Sequence, residues 1–189
     1  MVVERRVLFL IGAPGTGKTT QGALLAGRID ARHVSVGDLV RAARAEGESI
    51  PGDAAMRGMS APGWTVERIA AALGDVPLGV VDGFPRTPAY LPVLLTVGRP
   101  IGAIRLTISL EEAIDRMRGR AREGENVARI ADRWNTHRKQ EKALDEALRA
   151  SRIRLVEVDG HGDTQAVLAR VESVAGLLLA QDERRRTSA

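Results

Sequence analysis

The stretch "LFLIGAPGTGKTTQGALL" at residues 8–25 constrains this chain more than any other part of it. It passes from a short apolar segment through a cluster of glycines into Lys18-Thr19-Thr20 and a helical pattern. Within it, "GAPGTGKT", Gly12 to Thr19, satisfies G-x-x-x-x-G-K-S/T between a predicted strand, "VLFLI" at 7–11, and a helix predicted to begin near Lys18. Glycines let successive backbone N–H groups turn inward around phosphate oxygens, and the helix N-terminus adds the positive end of its dipole. Lys18 would reach the β- and γ-phosphates, and the Thr19 hydroxyl is placed to ligate magnesium. A plain glycine turn ahead of a helix would not need strand, spacing, lysine and hydroxyl all to agree. The loop therefore points to a nucleoside triphosphate, without separating kinase, GTPase, helicase or transporter ATPase.

Further strand-like segments are predicted at 31–36, 78–84, 102–109 and 153–160, each short and apolar. Helical spacing fills 37–47, 65–73 with Thr65 as a possible N-cap, two segments after 110, and a last helix from Thr164. Glycine and proline loosen the pattern over 47–64, which predicts short helices joined by a flexible excursion, and "QDERRRTSA" reads as a frayed tail. Strands alternating with helices imply an α/β fold with a parallel sheet covered on both faces.

A chain of 189 residues with 44% hydrophobic content suits one domain with a real core. No run of eighteen apolar residues occurs, and the first apolar segment is too short for a signal-peptide core, so a soluble, unexported, cytoplasmic protein is expected. Absence of cysteine removes disulfides, thiolate chemistry and cysteine-ligated zinc, and His33, His137 and His161 are too scattered to suggest a metal cluster. The basic residues are nearly all arginine, whose planar fork matches phosphate; Lys18, Lys139 and Lys142 are the only lysines.

Three more segments narrow the function: "HVSVGDLVR" at 33–41, "VVDGFPRTPAY" at 80–90, and the arginine series "DRMRGRAR" at 115–122 with "RIADRW" at 129–134. With "GAPGTGKTTQ", and in this order and spacing, they resemble the adenylate kinase family of nucleoside monophosphate kinases in its short-lid form. The resemblance covers nearly the whole chain. It implies a P-loop nucleoside triphosphate hydrolase-type three-layer sandwich around a central parallel five-stranded sheet. The implied single domain has its core at 1–34, 66–116 and 129–181, a monophosphate-binding flap at about 35–65, a short lid at about 117–128 and a tail at 182–189.

By the same resemblance, ATP would lie on Gly12, Ala13, Pro14, Gly15, Thr16, Gly17, Lys18, Thr19 and Thr20, with Arg116 stacked on the donor adenine. The acceptor monophosphate would meet Val36, Gly37, Asp38, Arg41, Trp64, Thr65, Gly83, Arg86 and Tyr90, its phosphate clasped by Arg41 and Arg86. Lys18, Arg86, Arg120, Arg122 and Arg133 would form the catalytic ring, and magnesium would sit on Thr19 and, through water, Asp82. Such a ring has a physical reason: transfer between two nucleotides brings several phosphate charges together, which fixed cations in a water-poor site offset. His33 is expected to be packed, because an acceptor phosphate oxygen is already anionic. The implied partners are ATP and a nucleoside monophosphate, for a monomer that binds neither nucleic acid nor membrane.

The chain departs from the family pattern where the acceptor's base is read. Val36 replaces the usual threonine, and Tyr90 replaces a glutamine that hydrogen-bonds the adenine edge; the usual lid aspartates fall on Gly124 and Glu125. Trp64 could stack on a base or cover the hinge of the flap. A kinase acting on AMP or a related nucleotide is the leading expectation. The alternatives are a kinase for CMP, UMP or a non-standard phosphorylated metabolite, and a non-catalytic ATP-binding regulator.

Overall fold

The computed structural model describes residues 4–52, 60–118 and 127–187. Five strands, β1 (Arg6–Ile11), β2 (Arg32–Ser35), β3 (Leu78–Asp82), β4 (Arg99–Thr107) and β5 (Leu155–Asp159), form one parallel sheet in the order β2-β3-β1-β4-β5. The continuous apolar run of β1 follows from its central place. Val7, Phe9 and Ile11 join one core and Leu8 and Leu10 the other, all at most 2% exposed. A strand buried on both faces has no side to make polar.

Helices α1 (Lys18–Arg28) and α7 (Thr164–Thr187) cover one face through Leu25, Val167, Leu168, Val171 and Leu178. On the other face lie α3 (Pro62–Leu73), a 3-10 turn at Pro88–Val93, the short α4 (Leu94–Val97) and α6 (Val127–Ala150), contributing Ile69, Leu73, Tyr90, Leu94, Leu144 and Leu148. Helices α2 (Val36–Ala45) and α5 (Leu110–Arg118) follow the C-terminal ends of β2 and β4. This is the expected three-layer α/β sandwich of the P-loop type.

Several boundaries differ from the sequence reading. Helix α3 begins at Pro62, because proline's fixed φ suits a first helical position; the Thr65 hydroxyl, expected to cap, instead donates to the Ala61 carbonyl at 2.9 Å. Strand β4 starts at Arg99, earlier than 102, and the tail expected from 182 is helical through Thr187. One set of ion pairs accounts for both extensions. Asp182 is 5% exposed and accepts from Arg99 at 2.9 Å and from Arg6 at 3.5 Å, tying the last helix to the starts of β1 and β4. Across the sheet, the buried Arg105 of β4 bonds Asp145 of α6 at 2.9 Å and Glu157 of β5 at 3.1 Å, which pins α6 in place. The lid expected at 117–128 falls largely outside the described residues. The described residues contain no helix long and apolar enough to cross a membrane.

Candidate active site

The loop between β1 and α1 is shaped by glycines that nothing larger could replace. Gly12 has φ +138°, and a Cβ there would lie 2.4 Å from the Leu106 carbonyl oxygen; one on Gly15 (φ +86°) would lie 3.0 Å from Ala113 of α5. Gly17, with φ +88°, caps α1 without a side chain. Inside the loop, the Thr16 hydroxyl donates to the Ala13 carbonyl at 3.0 Å, and Lys18 Nζ donates to the same oxygen at 2.7 Å. The lysine ammonium is thus folded back over the loop that carries it.

Beside the loop, Asp82 ends β3 and is 3% exposed. Its Oδ1 accepts from Thr19 at 3.3 Å and from Ser35 at 3.4 Å, and its Oδ2 lies 2.8 Å from His33 Nε2, which donates to it. His33 fits because α1 has Gly22 above it: a Cβ on Gly22 would fall 2.6 Å from Nε2. The hard oxygens of Thr19, Ser35 and Asp82 suit magnesium, which keeps water and phosphate ligands and needs few from protein.

Arg86 leaves β3 through Gly83 and the cis Phe84-Pro85 bond. The segment is held to the sheet by an aromatic chain, with Phe9 to Phe84 at 5.7 Å and Phe84 edge-on to Tyr90 at 5.2 Å. Burial lowers the Arg86 guanidinium from the ordinary arginine range; Arg133 pulls the same way, while Tyr90 and Asp82 oppose. No hydrogen bond to the Arg86 side chain is made among the described residues. Opposite, α6 presents Ile130, Arg133, Trp134, His137 and Glu141 at helical spacing. Burial, reinforced by Lys18, Arg86, Arg105 and Arg138, holds the His137 imidazole down at about 3. Cations from three separate segments therefore converge at the C-terminal edge of the sheet.

Residues 11–138 match a family model described as an AAA domain. The chain is 35% identical over 185 residues to an adenylate kinase of Synechococcus sp. (strain CC9311), with 91% of this chain and 99% of the relative covered. Adenylate kinases of Parasynechococcus marenigrum (strain WH8102) and Stenotrophomonas maltophilia (strain R551-3) are 31% and 30% identical, covering 91% and 87% of this chain and 99% and 96% of their own. The chain belongs to the adenylate kinase family. It is an enzyme, a phosphotransferase.

In this adenylate kinase family member, Arg116 bonds Glu112 at 2.7 Å and the Gly160 carbonyl at 2.8 Å, and lies near Gly17 at the loop's mouth. Asp38 and Arg41 pair with each other on α2, both exposed, and Gly37 sits in the first turn of that helix. Arg120 and Arg122, with Gly124 and Glu125, lie outside the described residues. Of the two readings of Trp64, its contacts favour the hinge. The indole N–H donates to Glu48 at 2.9 Å, and Arg68, bonded to the same carboxylate at 2.6 Å, covers the ring at 5.4 Å. Tyr90 is 2% exposed, so it offers no ring face for stacking.

Two partners escaped the sequence reading. The Asp82 bond of His33 needed the pairing of β2 with β3, where Ser35 stands opposite Asp82. His137 was within reach, since 130, 133, 134, 137, 141 and 144 share one helical face. An imidazole held neutral in the fold but protonated near 6.5 when unfolded contributes stability that is complete above that pH and lost as pH falls toward 3. About 1.4 kcal/mol should disappear by pH 5.5. Melting curves of wild type and His137→Gln should therefore diverge between pH 7 and 5.5, the variant losing less; parallel curves would show that His137 is not held neutral.

Proposed function

We propose that the chain transfers the γ-phosphoryl group of Mg-ATP to AMP or a related nucleoside monophosphate. The observation that carries this reading is the convergence of Lys18, Arg86 and Arg133 from three segments beside a glycine loop. Fixed cations so placed suit the clustered phosphate charges of two nucleotides. The names of the relatives add the acceptor class.

The loop's N–H groups and Lys18 hold the donor phosphates, with Arg116 at the adenine end. Arg86, its guanidinium already stripped of much water, and Arg41, released from Asp38, clasp the acceptor phosphate. Arg133, with Arg120 and Arg122, faces the transferring group. The acceptor oxygen is anionic and attacks without a base, so His137 has no proton to take and serves by staying neutral among the cations. Residues 35–65 act as the flap over the acceptor, and Glu48, Trp64 and Arg68 clamp the flap where it rejoins the core. Magnesium, when bound through Thr19 and, by way of water, Asp82, neutralises charge on the β- and γ-phosphates.

Incubation with Mg-ATP and AMP, followed by separation of nucleotides, should give two ADP per turnover; no product from any monophosphate would overturn the reading. Arg86→Met should raise the acceptor KM by about 10- to 100-fold, the scale of a charged hydrogen bond lost, and leave ATP affinity within about twofold. Equal loss of both affinities would remove Arg86 from the acceptor site.

A further inference from the structure

Arg86 and Tyr90 are separated by Thr87 and the first turn of the 3-10 segment, and the two side chains influence one another electrostatically. An acceptor whose phosphate meets Arg86 extends over the surfaces beside it: Val36, Tyr90 and the limb from Ser60 to Thr65. Val36 has no polar side-chain atom, and it is packed 3.9 Å from where a Cβ on Gly83 would stand. The polar atoms of the others are already engaged. Tyr90 Oη donates to the Ser60 carbonyl at 2.7 Å, the Ser60 and Thr65 hydroxyls are 2.7 Å apart, and Thr65 also donates to Ala61. All three side chains are nearly inaccessible: Tyr90 2%, Ser60 4% and Thr65 1% exposed. Burial raises the Tyr90 phenol above its usual range, which keeps it an O–H donor to Ser60. The Trp64 N–H is turned to Glu48. Beside them the Thr87 hydroxyl is buried without a partner, and a hydroxyl rotor donates or accepts as needed.

Strong discrimination between polar substrates arises when the wrong one leaves a buried donor or acceptor of the site unpaired. Among these described side chains the donors and acceptors are closed on one another, so a change of base strands none of them. The phosphate is held by arginine, and the base is left to shape.

On this basis, and resting on the kinase reading above, we infer that Tyr90 closes the base side of the acceptor site against hydrogen-bond reading, so that purine and pyrimidine nucleoside monophosphates are phosphorylated with comparable efficiency. Tyr90 is then a specificity-determining residue through what it withholds. Its hydroxyl is spent on joining the core to the returning limb of the excursion between β2 and β3.

The test measures kcat/KM of the full chain with saturating Mg-ATP and each of AMP, GMP, CMP and UMP. Values spanning no more than about tenfold are expected, and a preference above about 100-fold for one base would overturn the inference while leaving the kinase reading intact. Tyr90→Phe removes only the hydroxyl. Its AMP-to-UMP ratio of kcat/KM should stay within about threefold of wild type whatever its absolute rate, since a ratio is insensitive to loss of folded protein. A shift of that ratio by more than about tenfold would show that the hydroxyl reads the base, and would overturn the inference. Absence of turnover with every monophosphate would instead fell the kinase reading, and this inference with it.

Discussion

Replacing Lys18 with methionine is expected to lower turnover by at least ~10²-fold, the scale of losing one fixed donor to developing charge. Methionine keeps most of the apolar stem but cannot carry charge or donate, so the loop loses the cation that is drawn over the Ala13 carbonyl. The fold should survive. The loop's conformation is set by Gly12, Gly15 and Gly17, and α1 begins with or without an ammonium at its first residue. Initial rates at saturating Mg-ATP and acceptor, beside a melting curve, separate the two effects. Wild-type turnover in the variant would remove Lys18 from the mechanism, and a collapsed melting temperature would show that its role is structural. The same substitution also takes one positive charge from the surroundings of His137, so its imidazole should protonate at a higher pH than about 3.

The second large effect is expected from Gly12→Ala. A methyl group 2.4 Å from the Leu106 carbonyl oxygen, at φ +138°, cannot be accommodated without moving the loop off the end of β4. Strain of this kind costs about 1–3 kcal/mol. Because the displaced backbone carries the N–H groups proposed to hold the donor phosphates, ATP affinity should fall at least about tenfold as well. Gly27→Ala is the matched control. It lies in α1 with nothing within 4 Å of the added atom, and it should be neutral or stabilise by about 0.5–1 kcal/mol. Nucleotide titration and thermal melting of the pair decide the matter: equal behaviour of the two variants would mean that the close approach at Gly12 is not needed.

The layered α/β architecture was legible because its signals are local. "VLFLI" could be read as a strand buried on both sides without knowing its neighbours, and the glycine loop announces the helix that follows it. What could not be read is whatever depends on order within the sheet. The bond from His33 to Asp82 exists because β2 lies beside β3, and the burial of Asp182 because the last helix crosses the starts of β1 and β4. "QDERRRTSA" looks solvated by composition, and partners far away in the chain, Arg99 and, 176 residues away, Arg6, give its aspartate a reason to be inside.

The acceptor side divides in the same manner. Residue identity shows that Val36 and Tyr90 depart from the family pattern. It does not show that the phenol is committed to a backbone carbonyl, since Ser60 lies 30 residues earlier in the chain. Nor could spacing show what Trp64 engages; Glu48 takes its N–H and Arg68 lies over the ring. In each case a long-range partner made the difference.

Helix α6 runs unbroken from Val127 to Ala150, with Asp145 fastened to Arg105 near one end and Arg133 and His137 toward the other. Taken as a lever with that ion pair as its fulcrum, the helix would have a long arm. The 18 residues from Val127 to Asp145 correspond to an arm of about 27 Å, so a tilt of only ~10° at the fulcrum sweeps the far end through about 5 Å and Arg133 through about 3 Å. The pair between Arg105 and Asp145 thus anchors the helix that carries Arg133.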